Sequence, residues 1–385
     1  MSSHSQSWFQ PVRRCANRLF GSGPVTFAPF AEIAAIDRDY QARGIYGREA
    51  LSGLVHSEPG DAVRYRPTPN LLGQTFPPGV TSGVPGYRDD PVVPLRAKSL
   101  FVLQDAGVMG NQGFIYCRRS RRAVAETALQ WQAPARHHPL LGAAGFPKAT
   151  GLSGVSFSVL TRSGESFFHF IHEALPRLQL LGDFRTRIDH FIVNGPPDSF
   201  ARVWLERAGV PLARVVWAGP LTHFHCEQLL FTSELNFDHQ PTPWNIRASR
   251  TTIGCPSLEK PGHRRIWVSR KSGYTRHLQW EDELMRALPD FERHDLGLLA
   301  PAEQLALFAE AAVLAGPHGA GLANIAFCPP GTKLIELFGL LPMTPLYARW
   351  AQLAGAQPWW GLIDFERPSA LPELVAAVRR VIDSR

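Results

Sequence analysis

Residues 311–331 constrain the architecture of this chain more than any other stretch. Five apolar residues, Ala311-Ala312-Val313-Leu314-Ala315, run straight into Gly316-Pro317-His318-Gly319-Ala320-Gly321-Leu322-Ala323-Asn324. A short buried strand, a glycine-rich turn and an immediate helix satisfy that pattern, and Pro329-Pro330-Gly331 supplies the stop. Such a junction aims open backbone N–H groups and the positive end of a helix at one place, which suits a phosphate or a developing negative charge. The spacing is Gly-x-x-Gly-x-Gly and not Gly-x-Gly-x-x-Gly, so a nicotinamide dinucleotide is not the natural ligand. A tight turn without a ligand fits the same residues.

Alternation of strand and helix continues on both sides of this turn. Strand-like runs at 99–104 and 113–117 are followed by strands at 155–160, 190–193, 214–217 and 228–232, with helices at 167–181 and 199–208. A helix near 244–252 and a hinge at 256–262 lead into a second series. Its strands fall at 265–268, 291–294, 313–315, 333–338 and 359–363, and its helices at 279–288, 301–311, 345–353 and 372–382. Strands separated by helices of about 10–15 residues imply βαβ units and a mostly parallel sheet. The expectation is an α/β protein of two doubly wound halves around a cleft, with ligands at the carboxyl ends of strands. Residues 1–98, rich in Pro and Gly, read as an irregular extension with one helix near 30–43; residues 99–255 form the first domain and 256–385 the second.

A chain of 385 residues exceeds what one growing core serves, so two domains agree with its length. Hydrophobic content of 44% and charged content of 19% describe a folded protein. No apolar run reaches the roughly 18–20 residues that cross a bilayer. The five cysteines are scattered, with no Cys-x-x-Cys pair, and nothing near the N-terminus resembles a secretory leader. Both points suggest a reducing, cytoplasmic setting. All but five of the 40 basic residues are arginines, whose planar fork suits phosphate. A net charge of +7 indicates a small anionic ligand as readily as nucleic acid, and no nucleic-acid-binding module is recognisable.

Two further clusters accompany the glycine turn. In Ile266-Trp267-Val268-Ser269-Arg270-Lys271-Ser272-Gly273-Tyr274-Thr275-Arg276 a buried-looking strand ends in cations, and from Lys260 to His277 there are six Lys or Arg and no acid. Arg270 and Arg276 there can grip a diphosphate through charge-assisted bonds, although a solvated basic loop is the plainer alternative. In Phe168-His169-Phe170-Ile171-His172-Glu173-Ala174-Leu175-Pro176-Arg177, His169 and Glu173 lie four apart and share a helix face. They make a general-base pair or, alternatively, an ordinary surface pair, and His172 better suits the ordinary role.

Together these segments resemble glycosyltransferase family 61, which includes bacterial proteins described as capsular-polysaccharide biosynthesis proteins. The resemblance runs over about 99–365 and is carried by 168–177, 268–276 and 316–337, in that order. It implies a GT-B-like fold of two Rossmann-type halves, inverting transfer of a sugar from a nucleotide-sugar, and no obligatory metal or cofactor. The chain departs from eukaryotic members in having no apolar anchor and in carrying Gln279-Trp280-Glu281 where they have an Asn-Glu pair. The acceptor, a glycan or lipid-linked saccharide, transfers least, and peripheral membrane association is compatible with it.

The chemistry follows from the charges. A departing diphosphate gathers negative charge that arginines and a helix N-terminus can meet. Ser269, Arg270, Arg276, His318 and the Gly319, Ala320, Gly321 and Leu322 amides are the expected donor-binding groups. Glu173 is the expected base, with His169 orienting or replacing it, and inversion requires no protein nucleophile. Glu336, ending a strand, is placed to accept from a ribose diol or to pair an arginine, and Asn324 to satisfy backbone groups. Asp37-Arg38-Asp39 has the Asp-x-Asp form of metal-dependent sugar transferases but no strand ahead of it, and His223-Phe224-His225-Cys226 lacks a second ligand cluster, so no metal site is expected. A sugar-nucleotide epimerase and a non-catalytic nucleotide-sugar-binding protein share the diphosphate cradle and remain alternatives.

Overall fold

The computed structural model describes 26–28, 53–58, 62–64, 66, 68–74 and 92–94. It then describes 98–384 apart from 125–126, 128–137, 143–144, 234, 236–240, 272, 274 and 340–345. The helix expected near 30–43 and the Asp37-Arg38-Asp39 triplet lie outside the described residues. The chain divides into two compact units, Met1–Pro59 with Ala97–Leu235, and Gly60–Arg96 with Asn236–Arg385. The last crossing therefore falls ahead of the hinge expected at 256–262. Helix Pro243–Thr252, capped by Thr242 and Asn245, belongs to the second unit, where Arg250 Nε donates to the Ala326 carbonyl at 2.7 Å.

Among the described residues the first unit holds nine strands in one mixed sheet. Its spine is the long antiparallel pair Lys98–Met109 and His223–Thr232. On one side Phe114–Cys117 and Arg122–Val124 continue antiparallel, and Thr26–Ala28 joins the edge in parallel. Gly53–Glu58 also pairs antiparallel with Lys98–Met109. On the other side Thr150–Ser158, His190–Asn194 and Val215–Ala218 follow His223–Thr232, all parallel. The expected mostly parallel sheet thus exists only in that half. Short turns join Lys98–Met109 to Phe114–Cys117 and Phe114–Cys117 to Arg122–Val124, while the parallel pair His190–Asn194 and Val215–Ala218 is joined through a crossover that contains helix Ala201–Arg207. The core lies on this sheet, where Leu103, Val108, Ile115, Ile192, Phe224 and Leu229 pack together.

The second unit is a doubly wound α/β sheet. Its strands, in chain order, are Arg264–Val268, Glu292–His294, Ala311–Pro317, Lys333–Phe338 and Gln357–Leu362. All neighbours are parallel, and they lie in the order second, first, third, fourth, fifth. Ala311–Pro317 and Lys333–Phe338 are buried almost throughout, as strands covered on both faces must be. Helices Glu281–Ala287, Pro301–Ala309, Leu346–Leu353 and Leu371–Asp383 connect and cover them.

The supposedly irregular extension is in part ordered into these sheets. Besides the strands already named, Ala62–Arg64 and Val92–Pro94 form an antiparallel ribbon. Residues 68–74 run along the outer strand of the second sheet. Leu71 N donates to Trp360 O at 2.7 Å, Trp360 Nε1 to Thr68 O at 3.0 Å, and Leu362 N to Gln74 Oε1 at 2.9 Å. That segment satisfies an edge which would otherwise expose open donors and acceptors. Among the described residues no helix is long and apolar enough to cross a membrane.

Candidate functional site

The strand order of the second unit designates its binding crevice. Connections leave the first and third strands in opposite directions, so the loops at their carboxyl ends diverge and leave a gap between them. Ser269 and Arg270 follow the first strand, and His318 and Gly319 follow the third. A Cβ on Gly316 would lie 2.8 Å from the Val268 carbonyl oxygen, and one on Gly319 only 1.7 Å from Arg270 Nη1. Gly319 is extended (φ 172°), so it is required for space and not for handedness. The glycine turn and the basic loop, read separately in the sequence, are packed against each other.

Arg270 is held in a compact turn. Its Nε donates to Thr275 O at 3.1 Å, and its own carbonyl accepts from Gly273 N at 2.9 Å. Burial lowers the Arg270 guanidinium from its usual value, the nearby Arg276 charge lowers it further, and Tyr347 opposes them. Arg276 adopts a left-handed backbone (φ 62°), a strained conformation for a long side chain. The Arg276 charge is felt at Arg270, and an anion between two guanidinium groups would be held by both.

Ser269 has a different task. Its hydroxyl donates to Glu281 Oε2 at 2.7 Å, while Trp267 Nε1 donates to Glu281 Oε1 at 2.7 Å. Glu281, buried at the start of its helix, ties the first strand to that helix. Lys271 is paired with Asp282 at 2.6 Å.

The helix after the glycine turn, Ala320–Phe327, is a 3₁₀ helix. Leu322 N donates to Gly319 O at 2.9 Å, so its amide is not open to a ligand as expected from the sequence. The tighter i→i+3 ladder consumes that donor. The Gly319, Ala320 and Gly321 amides have no acceptor among the described residues. Asn324 Nδ2 donates to Gly321 O at 3.0 Å and secures the turn.

Glu336 is 1% exposed and is hydrogen-bonded to His318 Nδ1. A carboxyl sealed beneath a histidine does not reach a ribose diol in this conformation. Burial pushes it up from the ordinary range, while His318 and then Arg276 pull it back. The His318 ring stacks on Phe338 (centroids 5.0 Å apart) and lies against Tyr347 (5.1 Å). Tyr347 and Phe338 carried no site signal in the sequence, and Glu281 stood out only within Gln279-Trp280-Glu281; packing reveals what each of them touches.

In the first unit the chain from Phe167 makes one α turn, widens to a π turn over Phe170–Ala174, and tightens to 3₁₀ over Leu175–Leu180. Pro176, with no N–H to close an α turn onto His172, accounts for the break. His169 Nδ1 and Glu173 Oε2 are 2.7 Å apart. Glu173 is 5% exposed, so this is not an ordinary surface pair. Its carbonyl accepts from Arg177 Nε at 2.9 Å, and Arg177 Nη1 donates to Thr232 Oγ1 at 2.6 Å. His172, expected at the surface, is wholly buried against Phe168. His223 and His225 likewise serve a local network. Tyr116 Oη lies 2.7 Å from His223 Nε2, whose ring partner Nδ1 donates to Pro147 O at 2.6 Å.

Comparison with known proteins adds one finding. Residues 167–335 match the family model described as Glycosyltransferase 61, a span that holds His169, Glu173, Arg270, Arg276 and the whole glycine turn. No curated protein matches the chain. The match supports glycosyltransferase family 61, and the mixed α/β architecture with its parallel sheets fits a Rossmann-like glycosyltransferase.

Proposed function

We propose that this protein is an inverting glycosyltransferase of GT-B type that moves a sugar from a nucleotide-sugar to a hydroxyl of a glycan or glycoconjugate. Synthesis of a bacterial surface polysaccharide from the cytoplasmic side is the setting that suits it. The observation that carries the proposal is the contact of the Arg270 guanidinium with the Gly319 backbone at the switch point of the second sheet, with Arg276 beside it.

The reaction asks little else of the donor side. The bond from the anomeric carbon to the diphosphate oxygen breaks, and its electron pair passes to the diphosphate. Arg270, Arg276 and the Gly319–Gly321 amides meet that charge where it develops, and one preorganised donor of this kind contributes about 3–4 kcal/mol in a transition state. The acceptor oxygen forms the new bond from the opposite face, and its proton passes to Glu173, whose carboxylate His169 orients. His169 as the base, with Glu173 behind it, is the variant of the same scheme.

A thermal-shift screen against nucleoside diphosphates and nucleotide-sugars tests the donor site, since a ligand bound only to the native state raises Tm. Acceptor-dependent release of nucleotide then establishes transfer. An epimerised donor formed without acceptor would establish epimerisation instead, and binding without either would leave a nucleotide-sugar-binding protein.

A further inference from the structure

The backbone N–H of His318 is committed to Leu337 O at 2.8 Å, so its ring is what this residue offers a ligand. The ring is fixed on three sides, by Phe338, by Tyr347, and by the bond from Nδ1 to Glu336 Oε1. The second carboxyl oxygen, Glu336 Oε2, is buried without a hydrogen-bond partner. A buried carboxyl with one bare oxygen is costly to retain. Its single described hydrogen-bond partner is the histidine.

One proton between these two groups has two resting places. On His318 it makes an imidazolium facing a carboxylate; on Glu336 it makes a carboxylic acid donating to a neutral imidazole. In both placements His318 Nε2 keeps its hydrogen. Removal of that proton leaves Nδ1–H facing the carboxylate and converts Nε2 into an acceptor, which repels a phosphate oxygen. Nε2 has no partner among the described residues and is not sealed from solvent.

We propose that Glu336 is a positioning residue that holds His318 Nε2 in its hydrogen-donating form, so that His318 donates to the departing diphosphate beside Arg270. This rests on the reading of the Arg270–Gly319 turn as a diphosphate site. The charged and titratable groups facing the pair are Arg270 against the residue after His318, Arg276 from the basic loop, and Tyr347 from the helix above the ring. The Arg270 and Arg276 charges act on the pair from the cationic side.

Calorimetric binding of UDP, GDP, CDP and ADP to the full chain, from about pH 6 to about pH 9, tests the proposal. The proteins compared are the wild type, Glu336→Ala, Glu336→Gln, His318→Ala and Arg270→Ala. In Glu336→Ala no described side chain fixes which ring nitrogen of His318 carries the hydrogen. Glu336→Ala should therefore bind the nucleotides about tenfold more weakly than the wild type, with a pH profile that is not parallel to it. Glu336→Gln should restore part of the lost affinity, because its amide N–H can donate to Nδ1 and leave the hydrogen on Nε2, while the competing arrangement, its carbonyl accepting from Nδ1–H, keeps the recovery incomplete. Glutamine carries no ionisable proton, so the affinity of this variant should vary less with pH than that of the wild type. The glutamine variant carries the test if the alanine variant does not fold. Profiles parallel to wild type in the folded Glu336 variants would reduce Glu336 to a packing role and overturn the proposal, even if Arg270→Ala abolishes binding. Absence of binding by the wild type to all four nucleotides would overturn the diphosphate site and this proposal together.

Discussion

The Arg270 guanidinium rests on the Cα of Gly319 with no room for a methyl group, since a Cβ there would lie 1.7 Å from Nη1. The neighbour in the way is the end of a flexible side chain, so Gly319→Ala should fold but push the guanidinium aside. Affinity for a nucleoside diphosphate should fall about tenfold with Tm changed by only a few degrees. Gly316→Ala is the contrast, because its Cβ would meet the Val268 carbonyl at 2.8 Å and the backbone must move. That variant should lose about 1–3 kcal/mol in denaturant unfolding.

Removing either arginine should weaken the donor complex directly. Arg270→Ala and Arg276→Ala should each lose roughly 10–100-fold in nucleoside diphosphate affinity by calorimetry, and transfer should be abolished. Unchanged affinity in both variants would remove the basic loop from the site.

Glu173→Gln separates chemistry from binding. The amide keeps the shape of the side chain and can still meet His169, but it cannot accept the acceptor proton. Donor affinity should hold while kcat falls by about 10²–10⁴-fold, the usual contribution of a general base. Near-normal turnover would take Glu173 out of the mechanism and leave His169 as the candidate.

His138 sets an acid limit on stability. Burial lowers its imidazole to about 4, its ring stacks on Phe114, and its Nδ1 accepts from Leu140 N at 3.3 Å. The unfolded chain takes up this proton near the ordinary histidine value of about 6.5, before the folded chain does. Stability is therefore complete above that value and is lost as pH falls toward about 4, by on the order of 3 kcal/mol. Denaturant unfolding of His138→Asn should show a flatter profile over that window. A wild-type slope unchanged in the variant would assign the acid sensitivity elsewhere.

The second unit was largely legible in the sequence because its central strands Ala311–Pro317 and Lys333–Phe338 are buried almost throughout and its turns carry Gly or Pro. Residues 333–338 and the strand–turn–helix at 311–324 are found where apolar runs and punctuation put them. The first unit was less so. Apolar periodicity locates a strand but not its partner, and nothing local in Lys98–Met109 announces three antiparallel neighbours. Short pairing segments such as Gly53–Glu58 sit among residues that read as loop, and only the sheet they join makes them strands. At the site, residue types were readable and depths were not. Glu336 resembles a strand-end ligand in one dimension, yet the register beside Gly316 takes it under His318. Ser269 and Leu322 were read as ligands, but local hydrogen bonds already occupy them.

Glu281 shows how an inactivating substitution can mislead. It receives bonds from both Trp267 and Ser269, and through them it anchors the residue immediately before Arg270. An alanine scan scored by activity alone would rank it with the reactive groups, although its contacts are to the scaffold. Measuring melting temperature beside rate for every hit is what separates such an anchor from a residue that meets the sugar.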